Sequence, residues 1–186
     1  SINREMRATQ KNQKPFTLWF TGLPASGKTT VADLVEKKLF SLGKHSTVLD
    51  GDNLRTGLNS DLGFSDGDRA ENVRRTAEVA KLMNDAGLIS LVSLVSPIEN
   101  DRKNAAEIIG DGFILVYLKA SAEICKSRDK KGYYEKASSG VIKNFTGVSS
   151  GYESPENPDL VLDVETLSAK DCCNAVISYL KTNNLI

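Results

Sequence analysis

Along this chain, short apolar, β-rich runs alternate with stretches in which apolar residues return at helical spacing. The runs predict strands at residues 16–23, 46–50, 88–96, 113–118 and 160–164. Between them the spacing predicts helices at 28–42, 69–86, 99–109, 122–128 and 168–182. Strand and helix taking turns in this way is the pattern of right-handed βαβ crossovers. The expected fold is therefore α/β, a five-stranded parallel sheet with helices on both faces. One stretch breaks the alternation. Residues 129–158 are rich in Gly, Ser, Lys and Pro and carry no long apolar run, which predicts a mobile lid over a site. The opening "SINREMRATQKNQK" is polar and basic, and reads as a tail or linker at 1–14 ahead of a single domain at 15–186.

Composition narrows the classes of function. Hydrophobic residues make up 40% and charged residues 26% of the 186, a profile of a globular chain. Lys plus Arg and Asp plus Glu both number 24, so no net charge draws the molecule to nucleic acid or to an anionic membrane. No apolar run reaches the length of a bilayer span, and the chain opens on no secretory pattern. Cys125, Cys172 and Cys173 lack metal-ligand spacing and read as packing residues in a reducing compartment, the cytoplasm.

The chemistry is concentrated after the first strand. "GLPASGKT", comprising Gly22, Leu23, Pro24, Ala25, Ser26, Gly27, Lys28 and Thr29, fits the phosphate-loop pattern G-x-x-x-x-G-K-[ST], and Thr30 follows it. It follows a predicted strand and opens a predicted helix, as its mechanism requires. Glycines allow the tight backbone, N–H groups and the positive helix end cradle an anion, and Lys28 reaches the outer phosphates. The Thr29 hydroxyl suits Mg²⁺. The loop is thus expected to bind a nucleoside triphosphate, ATP. The next strand ends in "VLDGDNLR", where the carboxyl end of a parallel strand would turn Asp50 and Asp52 towards the loop, to orient a metal or take a proton. Arg55, Arg69, Arg74 and Arg75 then crowd the entry to a helix, and arginine is suited to phosphate or sulfate oxygens. Salt bridges to neighbouring carboxylates explain Arg74 or Arg75 equally well.

The block "LDGDNLRTGLNSDLGFSDGDRAENVRRTAEVAKLMNDAGL" resembles the signature region of the adenylylsulfate kinases, a P-loop NTPase family. The resemblance continues through Ser96–Pro97, Asp101–Arg102, "RDKKGYYEKA", "IKNFTG" and "YESPENPDLVL", nearly the whole chain from Lys14 onward. It implies transfer of the γ-phosphate of ATP to the 3′-hydroxyl of adenosine 5′-phosphosulfate. It also implies roles: Lys28, Asp50 and Asp52 in catalysis, with Thr29 and Asp52 on Mg²⁺. Asp50, Asp52, Asn53, Arg55, Arg69, Asn72, Ser96 and Lys143 would hold the acceptor nucleotide. Phe64 and Phe145 would sandwich its adenine, and Arg128 would lie against the adenine of ATP. Ser96 matches a family serine associated with a phosphoenzyme. In-line transfer already has the acceptor hydroxyl as nucleophile, which gives Ser96 the alternative task of shaping the strand end. The chain departs from the family at Ile98, Glu99 and Asn100, where an aromatic and basic residues are expected, and at Asn144, where the lid has glycine. The resemblance leaves open a homodimer, and fusion to or association with an ATP sulfurylase. The rival readings are a P-loop kinase of another nucleotide or metabolite, and a non-catalytic nucleotide-binding regulator. The presence of Lys28, Asp50 and Asp52 speaks against the regulator.

Overall fold

Leu18, Trp19 and Phe20 stand side by side in the first strand, and all three are fully buried. Successive strand residues face opposite ways, so such a run demands cover on both sides. The computed structural model describes residues 1–148 and 150–186 and provides that cover; Ser149, within the expected lid, lies outside the described residues. In chain order its elements are α1 (Arg4–Lys11), β1 (Thr17–Thr21), α2 (Lys28–Ser41), β2 (Ser46–Asp50), α3 (Gly51–Arg55), α4 (Asp66–Asp85), β3 (Ile89–Ser93), α5 (Glu99–Ile109), β4 (Phe113–Lys119), α6 (Ala122–Ser127), α7 (Tyr133–Ser138), β5 (Leu160–Asp163) and α8 (Ala169–Thr182).

The five strands pair in the order β2-β3-β1-β4-β5, and every pairing is parallel. Leu18 and Phe20 pack with Val31, Val35 and Leu39 of α2 and with Val176 and Leu180 of α8. Trp19 and Val92 pack on the other face with Val73, Ala77 and Ala80 of α4 and with Ala105 and Ile109 of α5. Each large side chain so buried contributes on the order of 2 kcal/mol. The helix starts are sealed locally: Ser65 caps α4, Ser121 caps α6, and Ser168 with Asp171 forms a reciprocal capping box on α8. No helix among the described residues is long and apolar enough to cross a membrane.

The first residues differ from the tail expected of them. Asn3 caps α1 by accepting from the Met6 N–H at 2.9 Å. Arg4 donates to the Asp111 carbonyl at 3.1 Å and Arg7 to that of Asp85 at 3.1 Å. The buried Gln13 amide donates to the carbonyls of Gly87 at 2.8 Å and His45 at 3.0 Å, and accepts from the His45 N–H at 2.8 Å. No residue of α1 is buried. Main-chain carbonyls just ahead of the strands hold this segment, rather than an apolar face, so hydrophobic periodicity had nothing to report. Gly87 permits the approach: its φ is +82°, and a Cβ there would lie 3.0 Å from the Arg7 carbonyl carbon.

Candidate active site

In a parallel sheet all strands end at one edge, and the loops leaving that edge converge. β1 delivers the phosphate loop. Gly22 has no room for a side chain, since a Cβ would come within 2.8 Å of the Leu118 carbonyl. Ala25 and Gly27 take left-handed conformations at φ 64° and 96°, and Gly27 stands as the N-cap of α2. The Ser26 hydroxyl is buried without a hydrogen-bond partner among the described residues. Lys28 curls back over the loop, donating to the carbonyls of Gly22 at 3.0 Å and Leu23 at 3.1 Å. Burial lowers its pKa from 10.5 to about 8, against the opposing pull of Cys125, Asp50 and Asp52. Leu23 and Pro24 complete the turn, and Thr30 is exposed in the first turn of α2.

Thr29 joins the two sides of the crevice. Its hydroxyl donates to Asp50 Oδ2 at 2.8 Å and meets Ser93 Oγ at 3.1 Å. The other carboxylate oxygen of Asp50 accepts from the N–H groups of Asp52 at 2.8 Å and Asn53 at 3.3 Å, which caps α3 and turns Asp52 outward. The exposed Asp52 carboxylate is met by Lys131 Nζ at 2.6 Å. Thr29, Ser93 and Asp50 form an all-oxygen cluster, with the outward Asp52 on the adjoining turn, and oxygen donors of this kind fit a small hard cation sharing its shell with phosphate oxygens.

The arginines divide as two groups. Arg74 pairs with Glu71 at 2.6 Å, and Arg75 with Asp61 at 2.7 Å and Glu71 at 2.9 Å, all on the surface. Arg55 and Arg69 instead frame Phe64, their guanidinium carbons 4.1 Å and 5.8 Å from its half-exposed ring. Burial lowers the pKa of both. Arg69 donates to the Phe64 carbonyl at 3.0 Å, to Thr146 Oγ1 at 2.7 Å and to the Asn144 carbonyl. One side chain thereby links the turn bearing Phe64 to the segment bearing Phe145. Asn72 is buried and accepts from Asn59 Nδ2 at 2.8 Å. Arg128 lies across the sheet edge, donating to the Val164 carbonyl at 2.6 Å, and Lys143 is exposed.

The expected lid is folded onto the phosphate loop. Tyr134 is 2% exposed, its hydroxyl donates to the Pro24 carbonyl at 2.8 Å, and Phe145 stands edge-on to it at 4.9 Å. The left-handed φ of 55° at Asn144 suits asparagine in place of glycine. Ser96 is buried, accepts from Trp19 Nε1 at 3.1 Å, and is 3.1 Å from Thr21 Oγ1 and 3.2 Å from the Leu94 carbonyl. Those partners accord with the shaping of the strand end. Glu99 is taken up by Arg102. Lys131 and Tyr134 went unassigned in the sequence because neither has a phosphate motif of its own; only "KKGYY" inside a glycine-bearing stretch marked them.

Three comparisons bear on this arrangement. A family model described as adenylylsulphate kinase matches residues 14–163. An adenylyl-sulfate kinase of Clostridium acetobutylicum is 48% identical over 185 residues, covering 100% of this chain and 92% of that one. The bifunctional enzyme NodQ of Rhizobium sp. strain N33 is 49% identical over 185 residues, 99% of this chain but 29% of its own length. Among solved structures, the Mycobacterium tuberculosis APS kinase CysC in complex with AMPPNP and APS superposes with a TM-score of 0.87 at 46% identity, covering 91% of this chain and 99% of that one.

Proposed function

The chain belongs to the adenylylsulphate kinase family, and from that premise we propose that it transfers the γ-phosphate of ATP to the 3′-hydroxyl of adenosine 5′-phosphosulfate. The products are ADP and 3′-phosphoadenylylsulfate. The observation that carries the reading is the 2.8 Å contact between Thr29 and Asp50, which joins the phosphate loop to the carboxylates of the acceptor side. A relative solved with APS and a triphosphate analogue supports the same pairing of ligands.

In this reading the loop N–H groups, Lys28 and the start of α2 hold the triphosphate, and Arg128 lies by its adenine. Asn53, Arg55, Arg69, Asn72 and Lys143 bind the anionic part of the acceptor, and Phe64 and Phe145 clasp its adenine. Asp52 stands nearest the acceptor hydroxyl and takes or orients its proton. Thr29 and Asp52, with Asp50 bonded to Thr29, would hold Mg²⁺, which when bound would supply charge neutralisation on the phosphates. Work in the cytoplasm belongs to the same proposal, and the three buried free thiols support a reducing compartment. A bifunctional relative in which the matching segment is 29% of the chain supports association with a second catalytic unit, an ATP sulfurylase.

The test is a coupled assay of ADP release from MgATP. Release should require adenosine 5′-phosphosulfate, and equal turnover with AMP or gluconate as acceptor would overturn the assignment.

A further inference from the structure

Arg102 is the most deeply buried charged residue among those described, its side chain 1% exposed, yet no role in binding or catalysis falls to it above. Taking a guanidinium out of water is costly, and a single carboxylate partner would satisfy its charge. Glu99 supplies that carboxylate. The remaining donors are spent differently. Nη1 donates to the Ser96 carbonyl at 2.7 Å and Nη2 to the Glu153 carbonyl at 2.5 Å, while Nε has no hydrogen-bond partner among the described residues. One side chain therefore ties the turn after β3 to the returning end of the 129–158 segment.

Three further bonds run through the same place. The Glu153 N–H donates to the Pro97 carbonyl at 2.8 Å. The Tyr152 ring lies 5.6 Å from the Arg102 guanidinium carbon, and its hydroxyl meets Thr21 Oγ1 at 2.9 Å. Thr21 directly precedes Gly22 and also donates to the Val95 carbonyl at 2.7 Å. Ser96 sits at the centre with a left-handed φ of 40°, a strained conformation for a serine that its surroundings must enforce.

We infer that Arg102 is a positioning residue for the phosphoryl transfer. With Tyr152 it clamps the C-terminal root of the 129–158 segment to the 96–97 turn and to the base of the phosphate loop. With that root held and the other tethered through Tyr134 to Pro24, the tip of the segment is returned to one place over the acceptor. Glu99 is spent inside this clamp, so the charge departure at that position does not face the substrate. The inference rests on the functional reading above.

Tyr152→Phe removes only the hydroxyl bond to Thr21, and Arg102→Lys keeps the charge but cannot bridge both carbonyls. Hydrogen exchange on the empty proteins should quicken at residues 150–156 while α8 keeps its wild-type protection. In steady-state kinetics kcat/KM for adenosine 5′-phosphosulfate should fall roughly tenfold or more, as misplacement of a reacting group does. KM for ATP should stay within about twofold. Unchanged exchange at 150–156 in Tyr152→Phe would overturn the clamp, as would a lowered Tm with kcat and both KM values intact. Should Arg102→Lys fail to fold, Tyr152→Phe decides alone. A wild-type protein without acceptor-dependent ADP release would defeat the functional reading, whereas the exchange experiment uses no substrate and still decides the clamp.

Discussion

Lys28 closes the phosphate loop on itself, its ammonium resting on two loop carbonyls. Lys28→Ala should lower kcat about 100-fold or more, the scale of losing one preorganised charge contact, and the coupled ADP assay measures it. Burial puts the pKa near 8 in the empty protein, and bound phosphate favours the charged form. ATP affinity should therefore be level below about pH 8 and weaken as pH rises through it, and calorimetry across that range checks the slope. The same burial penalises the folded state below pH 8 and is relieved between 8 and the unfolded value of 10.5. Phe145 offers the second residue-scale prediction. Stacking on a base is worth roughly 1–3 kcal/mol, so Phe145→Ala should weaken adenosine 5′-phosphosulfate about ten- to hundredfold and leave ATP binding nearly unchanged. A fallen Tm with unchanged affinity would return Phe145 to the core. The loop residues were legible because glycine, lysine and threonine at fixed spacing have one shared use. The environment of Ser96 was not, since its hydroxyl partners Trp19 and Thr21 are 77 and 75 residues distant in the chain.

At the scale of elements, the strands and long helices were legible because apolar periodicity dictates them; β2 and α5 run over the residues the spacing predicted. Three short helices were not. α3 exists through the Asp50 cap, α7 is tethered by the Tyr134 hydroxyl, and α1 is held by polar side chains on carbonyls. None of these causes leaves a period of 3.6. α1 yields a prediction of its own. Gly87→Ala would strain a φ of +82° and push into the Arg7 backbone, so it should cost about 1 kcal/mol or more. Gly87 lies at the starting edge of the sheet, opposite the crevice, and kcat should be unaltered. Thermal melts beside the ADP assay separate the two.

For the whole molecule, net charge conceals the local arrangement. The 24 cations and 24 anions cancel, yet Lys28, Arg55, Arg69 and Lys131 gather at one edge of the sheet. Asp50 and Asp52 stand among them and Asp52 pairs with Lys131, so the attraction of anionic nucleotides rests on Arg55 and Arg69 and is screened over about 10 Å at 0.1 M salt. kcat/KM for adenosine 5′-phosphosulfate should fall as salt is raised with kcat nearly constant, and a flat response would deny the steering. At the opposite edge, Lys14 Nζ reaches the Asn184 carbonyl at 2.6 Å, so the entrance to β1 lies beside the exit from α8. The fold is in this sense almost a ring. Its catalytic edge depends on the cyclic succession of strands and helices, and a chain closed by a linker from the end of α8 to the start of α1 and reopened at the exposed Gly43 turn would keep every neighbour relation the crevice requires.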